Sequence, residues 1–475
     1  MSLRVWILWV LFVIRGAFYC TMLPLWEGWD EYAHFAWLQH WIDHGTLPRT
    51  NDPVSREIEV SLQLAPLPHE LGWIGAPDLT HEQWWALPPA ERSERIRLLR
   101  AISPKLAHEP AVYPFVFYEA QQPPLYYWIM SIPLRLAASW PIASRVLFIR
   151  LIGIALVSLV IPLTWFAARP VLNGDLAVYA AAIPAIAPGL LIDVARIAND
   201  DLTLPLVALL TLLLIRSKRN WVAIGIVLGA GLLTKGNLLA LIPALAICWR
   251  RKEWRTLCFT CVIAIGIAGW WYGRNMTSGH SFTGWMNEVS LAGLLTAILR
   301  LNWLAAAQVS AKSFLWFGAW SFLMLKSWIY TVLEAIGLMA LIGLFRTNVR
   351  TLRVPLAFVA CFTAAMAYAT LGISATTSVA NAPGWYLWAV ACPLAILFTG
   401  CAQRLTIVLI MAFALVDLYG ANAVMMPYYA GLVARNHADV SKIPEALARL
   451  RVPVALWLAY IAATAAIPLA AQGRR

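Results

Sequence analysis

The sequence predicts an all-α polytopic membrane protein, a bundle of about twelve transmembrane helices with juxtamembrane helices in a large first outer loop. Three observations predict it. Of 475 residues, 61% are hydrophobic and 13% charged, against roughly 45–50% and about 25% in a soluble domain. The apolar residues fall in repeated runs of about twenty, the length that crosses a bilayer. Lys and Arg, which make the net charge +12, gather between those runs and so report topology rather than nucleic-acid binding.

The basic clusters "RSKRN" (216–220), "RRKEWR" (250–255), "FRTNVRTLR" (345–353), "QR" (403–404) and the terminal "RR" (474–475) mark cytoplasmic connections. Between them the spans fall near 4–24, 146–168, 176–194, 202–215, 221–234, 237–249, 256–272, 326–345, 354–372, 385–401, 405–424 and 452–470, with both termini inside. Several are short enough to be half-helices or re-entrant segments. At the N-terminus Arg4 precedes an apolar run, as in a signal peptide. No A-x-A-like site follows and Arg15 interrupts the run, so an uncleaved first span is expected. No internal repeat is evident, which argues against a transporter of two related halves.

The polar segments then share the outer face. They are the loop from 25 to 145, "ARIANDD" (195–201), "TKGN" (234–237), a second large loop over 273–325, "TTSVANAPGWY" (376–386) and 425–451. All eight histidines lie there. The first loop should hold helices along the membrane surface: one from Asp30 to His44 with a broad apolar side, ended by Gly45; an amphipathic one over 88–102; and one over 121–139 entered by a diproline. The seven cysteines lie in or beside apolar segments, so no disulfide is expected, and "CFTC" (258–261) reads as buried thiols rather than a redox or metal motif.

Five places carry candidate chemistry. In "WDEYAH", Asp30 and His34 are one helical turn apart and Glu31 is three before His34. Two carboxylates beside an imidazole make a general base or a cation site, and Glu31 alone equally suits a helix cap. "ARIANDD" sets Arg196, Asn199, Asp200 and Asp201 at the outer end of a span, where anchoring and capping compete with function. Lys235 in "LLTKGNLL" either snorkels or meets an anion. Arg274 in "WWYGRN" suits phosphate, although Trp270, Trp271 and Tyr272 suit an aromatic belt. "YEAQQPPLYYW" adds Glu119, Gln121 and Gln122, the amides and acids a sugar's hydroxyls require. Acids around lone cations at membrane level fit a donor whose phosphate sits in the headgroup plane, such as a polyprenyl-phosphate sugar.

"WDEYAHFAWLQHWIDHGTLP", "QQPPLYYW", "RIANDDLTLP", "LLTKGN" and "WWYGRN…SG" occur in the order that resembles the GT-C glycosyltransferases. The likeness is to bacterial relatives of the protein O-mannosyltransferases and the lipid A aminoarabinose transferases, and it is strongest from the N-terminus to about residue 285. The resemblance implies one GT-C-like domain over 1–475, with the catalytic Asp on the loop 25–145. It implies a bacterial cytoplasmic-membrane enzyme that moves one sugar, with inversion, from a polyprenyl-phosphate donor to an outer glycan, lipid or protein acceptor. Asp30 resembles the catalytic base, with Glu31 beside it. Asp200 or Asp201 resembles the second acidic position, and Lys235 and Arg274, with Arg196, the donor-phosphate contacts. His34, Glu119, Gln122 and Asn199 fall to the sugar and acceptor. Where relatives carry Gly-Arg-Tyr this chain reads Gly384-Trp385-Tyr386, which puts Trp385 and Tyr386 at the sugar and leaves Lys312 or Lys326 to supply the cation. No required cofactor is expected, although Asp30, His34 and an acid of 199–201 could hold a divalent ion. Membrane lipid is the expected partner and nucleic acid is not. The alternative is a transporter or flippase of lipid-linked sugars, for which Asp193 and Asp417 near span ends are the candidate charges.

Overall fold

The computed structural model describes residues 1–472 except 69–78, 114–116, 217–219, 250–252, 278–281, 283–289, 349 and 378–382. Helix makes up 76% of it, which leaves an all-α fold, and the described residues contain no strand beyond isolated bridges. α1 (Leu3–Met22) is the first span, and the long first connection carries α2 (Glu31–His44), α3 (Arg56–Leu64), α4 (His81–Ala86), α5 (Pro89–Arg100) and α6 (Leu125–Leu136). α7 (Ile142–Val157) and α8 (Val160–Ala168) run on as one span. α9 (Gly174–Ile186) and α10 (Pro188–Val194) form a pair bent by 53°. α11 (Asp200–Ile215), α12 (Trp221–Leu232) and α13 (Leu241–Cys248) are short, and α14 (Trp254–Thr277) is of full length. α15 (Leu291–Arg300) and α16 (Trp303–Leu315) meet at 88°. There follow α17 (Ser327–Leu344), α18 (Arg353–Thr377), α19 (Ala391–Cys401), α20 (Gln403–Tyr419), α21 (Met426–Tyr429), α22 (Ile443–Leu450) and α23 (Val454–Gln472).

Among the described residues, eight helices are long and apolar enough to cross a membrane, or up to ten if each bent pair is one span. The protein is therefore a multi-pass membrane protein, with eight to ten such helices among the described residues where about twelve spans are expected. The difference lies at 202–249, where Trp221–Leu232 and Gly236–Cys248 are too short to cross alone, and at Leu291–Leu315, a bent apolar pair inside what reads as a loop.

α9 is the axis of the bundle. Its "AVYAAAIPAI" presents mostly methyl groups, so neighbours approach closely, and α1, α8, α19, α20 and α23 all pack on it. Its last carbonyls, freed at the break before Pro188, are met by a charge from α1. Arg15, fully buried, donates to the carbonyls of Ala185 and Ile186 and lies 3.0 Å from Asp417 of α20. Asp417 in turn accepts from Tyr19 at 2.9 Å and from Tyr460 of α23 at 2.9 Å. Unsatisfied backbone in lipid costs several kcal/mol per group, so this arginine is what permits the bend.

The first connection differs from a set of helices resting on the membrane. α2 is buried in protein along Glu31–Gln39, because α6 and the residues around Val54, Ile58 and Phe117 close over its apolar side. It ends at Gly45, φ +64°, as its sequence requires. α5, by contrast, buries no residue fully, although its Leu99 packs part-buried against the same cluster. Two ion pairs tie this region to the bundle: Arg145 with Glu57, and Arg150 with Glu31.

Arg15→Met should cost about 3–5 kcal/mol, the range for stranding one partner of a buried pair. Thermal unfolding in detergent measures this, and Arg15→Met with Asp417→Leu should recover much of the loss.

Candidate active site

The site begins at the turn between α1 and α2. Asp30 occupies the position before the first turn of α2 with φ +56°, a left-handed backbone that Asp tolerates better than most residues. Its side chain caps nothing in α2. Instead its Oδ1 accepts a hydrogen bond from the hydroxyl of Tyr118. Withdrawal from water raises the pKa of Asp30. The Tyr118 donor, Arg196 and Lys235 oppose that rise, and Asp200 adds to it.

Arg196, in the short connection after α10, is the hub. It donates to the carbonyl of Trp29 at 2.8 Å, to Asp193 Oδ1 at 3.0 Å and to Asp200 Oδ2 at 3.1 Å. Its guanidinium also lies 5.6 Å from the centroid of the Trp29 ring. The approach depends on Gly28, where an added Cβ would sit 2.4 Å from Arg196 Cβ. The other oxygen of Asp200 takes Lys235 Nζ at 2.5 Å, and that ammonium lies 5.4 Å from the Tyr386 ring centroid. Trp385 stacks between Trp29 at 4.5 Å and Phe317 at 6.1 Å. Two of the expected cations, Arg196 and Lys235, are thus already salt-bridged.

The segment before α6 closes the site. Leu125 N–H donates to the carbonyl of Leu233 at 2.9 Å, which pins the diproline beside Lys235. Asn199 ties the same two segments by donating to Gln122 Oε1 at 2.9 Å and to the Thr234 carbonyl at 3.1 Å. Glu119 is buried and its Oε2 has no hydrogen-bond partner. Burial and the charge of Asp30 push its pKa up to about 8, against the pull of Gln122, Lys235 and Arg196. His34 shares a 2.7 Å hydrogen bond between Nδ1 and the Tyr127 hydroxyl, and burial holds its pKa well below the usual histidine range, so it is neutral.

The remaining expected residues separate. Both oxygens of Glu31 face Arg150, at 2.7 and 2.5 Å, and Oε1 also accepts from Ile197 N–H. Arg150 simultaneously covers the carbonyls of Cys20, Leu23 and Pro24 at the end of α1. Glu31 is therefore engaged behind the site, as neither base nor cap. Asp201 points away from Asp200, towards the Tyr126 hydroxyl at 3.2 Å, with its other oxygen unpartnered. The missing Cβ of Gly153 makes room for it, since one would lie 2.3 Å from Asp201 Oδ2. Arg274 does not join Lys235. It donates to the Pro48 carbonyl at 3.1 Å, lies 4.8 Å from the Trp271 ring centroid one turn earlier, and feels Arg49 and Asp52. Lys312 sits 6.0 Å from the Tyr330 ring centroid and Lys326 is exposed before α17, so neither stands in for the missing arginine. Among the described residues no three His, Cys, Asp or Glu side chains gather as metal ligands. His34 is engaged with Tyr127, and Asp200 with two cations.

Three participants were not singled out as site residues by the sequence. Tyr118 precedes Glu119 in "YEAQQPPLYYW", but nothing in the spacing ties it to Asp30. Asp193 was noted only as a span-end charge. Arg150 was legible in principle, because an arginine inside an apolar run needs a partner.

Residues 121–271 match the family model of dolichyl-phosphate-mannose-protein mannosyltransferase, a stretch that runs from Gln121 to Trp271. No curated protein matches the chain. Among solved structures, ArnT from Cupriavidus metallidurans bound to undecaprenyl phosphate is similar over 99% of this chain and 76% of its own, at 13% identity and a TM-score of 0.51. ArnT in the apo state is similar over 74% of this chain and 64% of its own, at 16% identity and a TM-score of 0.41. The archaeal oligosaccharyltransferase AglB from Archaeoglobus fulgidus, in complex with an inhibitory peptide and a dolichol-phosphate, is similar over 97% of this chain and 56% of its own, at 15% identity and a TM-score of 0.41. The chain thus shares the fold of ArnT and, over residues 121–271, is similar in sequence to the dolichyl-phosphate-mannose-protein mannosyltransferases.

Proposed function

We propose that the chain is an inverting glycosyltransferase of a bacterial cytoplasmic membrane. It moves one hexose or pentose from a polyprenyl-phosphate donor to a glycan, lipid or protein acceptor on the outer face. The observation that carries this reading is the arrangement around Asp30: a carboxylate on a left-handed turn, facing a cluster in which a lysine is paired with Asp200. The match of residues 121–271 to a mannosyltransferase family and the fold shared with an ArnT that was solved with undecaprenyl phosphate support it. On this reading the whole chain is one domain, and the connection 25–145 carries the base.

In the proposed step the acceptor oxygen attacks the anomeric carbon from the face opposite the phosphate. Its proton passes to Asp30, the new C–O bond forms as the bond to the phosphate oxygen breaks, and the lipid phosphate departs with the electron pair. Lys235 and Arg196 stabilise the leaving phosphate, which competes with Asp200 for them. General-base help contributes roughly 10²–10⁴-fold, and a carboxylate raised above the usual aspartate range by burial is the better base. Glu119, Gln122, Asn199 and Tyr386 border the sugar, Trp385 backs that wall, and Glu31 positions the turn that bears Asp30. No metal enters the step. A flippase would instead rest on an intramembrane charge such as Arg15 or Asp417, and both are locked in a hydrogen-bonded pair.

Asp30→Asn should lower transfer by about 10²-fold or more while donor binding persists, read with radiolabelled polyprenyl-phosphate sugars on purified protein. Wild-type transfer by this variant would sink the reading. Wild-type activity should fall as pH drops through the raised pKa of Asp30, because the base must be ionised to accept a proton.

Glu119 makes a separate prediction about stability. A carboxyl raised to about 8 binds its proton more tightly in the folded chain. The stability it contributes is complete below the unfolded value of about 4.3 and is lost as pH rises towards 8. Glu119→Gln removes that dependence, so the Tm of the variant should gain on the wild type between pH 5 and pH 8.

A further inference from the structure

Asp30 makes one hydrogen bond through its side chain among the described residues, from Tyr118 to Oδ1, and Oδ2 makes none. The backbone of Asp30 is fixed separately. Its neighbour Trp29 is held through its carbonyl by Arg196, and Glu31 is held by Arg150. What those contacts leave free is rotation of the carboxylate about its own side-chain bonds.

Tyr118 is built to stop that rotation. Its ring meets the ring of Tyr32 at 6.0 Å and 64°, and Tyr32 lies parallel to Trp320 at 6.1 Å and 12°. The Trp320 N–H donates to the carbonyl of Glu27 at 3.0 Å. The Glu27 carboxylate, wholly buried, is gripped by Ser321 N–H at 2.8 Å, the Tyr429 hydroxyl at 3.1 Å and His81 Nε2 at 2.9 Å. A rigid chain of contacts therefore runs from three parts of the protein to one phenolic hydroxyl.

We propose that Tyr118 is the positioning residue of the Asp30 carboxylate: its hydroxyl holds Oδ1, sets the plane of the group and reserves Oδ2 for the proton of the acceptor. This rests on the reading of Asp30 as the base. The other titratable or charged groups around Asp30 are Glu119 on the segment of Tyr118, Arg196 before α11, Asp200 at its start, Lys235 after α12, Tyr32 on α2, Tyr127 on α6 and Tyr386 before α19. Tyr118 is the one that donates a hydrogen bond to the carboxylate. A donor to a carboxylate favours its ionised form, so losing the donor makes Asp30 bind its proton more tightly.

The test uses the full chain in lipid nanodiscs. Infrared difference spectra taken across pH, wild type minus Asp30→Asn, isolate the Asp30 carboxyl. In Tyr118→Phe its midpoint should rise by about one pH unit, a tenfold gain in proton affinity, while exposed Tyr113→Phe leaves it in place. With decaprenyl-phosphate mannose as donor probe, the acid limb of kcat should move upward by the same amount with KM nearly constant. Should Tyr118→Phe not fold, Tyr118→Met removes the same donor. An unmoved midpoint beside an inactive Asp30→Asn overturns the role of Tyr118 alone. An Asp30→Asn as active as the wild type overturns the base itself.

Discussion

The guanidinium of Arg196 is the interaction on which the rest of the site depends. Its planar fork reaches the turn before α2, the end of the bent pair α9–α10 and the start of α11 at once. A lysine at this position, with a single point of charge, could not span three elements. Its own charge is offset by Asp193 and Asp200, and Asp200 passes the connection on to Lys235. Elements more than 160 residues apart in sequence are thereby set at hydrogen-bonding distance.

A second set of buried charges fixes the frame around that hub. Arg15 with Asp417, Arg150 with Glu31 and Arg145 with Glu57 each place a guanidinium where helix ends or loops expose carbonyls, or where a loop must be tied down. Buried pairs of this kind add little net stability, because desolvation consumes most of their attraction. They do define geometry sharply, since each arginine has several donors pointing in fixed directions. Two of the three, Arg150 with Glu31 and Arg145 with Glu57, lie between the bundle and the connection that carries Asp30, while Arg15 with Asp417 lies within the bundle.

Much of the fold was legible in the sequence because hydropathy and capping are local properties. The long apolar runs, the end of α2 at Gly45 and the start of α5 at its prolines all follow from a few neighbouring residues. The bent pairs were not legible as such. A 53° break at Pro188 or an 88° corner after Arg300 depends on which distant groups satisfy the freed backbone. Within the site, Asp30, Asp200, Arg196, Lys235, Glu119, Gln122 and Asn199 come together as their motifs suggested. Arg274 does not, because its side chain settles on Trp271, three residues earlier on its own helix. Adjacent Asp200 and Asp201 diverge by the helical rotation of α11, a distinction that type alone cannot make. Tyr118 escaped notice because its partner lies 88 positions away.

The left-handed turn at Asp30 restricts what the position can carry, beyond any question of charge. Residues with a short polar side chain endure positive φ, while a longer or branched one strains the peptide it belongs to. Extending the acid by one methylene therefore changes two things together. The carboxylate is displaced from its seat, and the residue is driven towards ordinary helical handedness, so that α2 would start one step early. Glutamate here is not a conservative replacement. Chain length and backbone chirality are coupled at this junction, and only the shorter acid satisfies both.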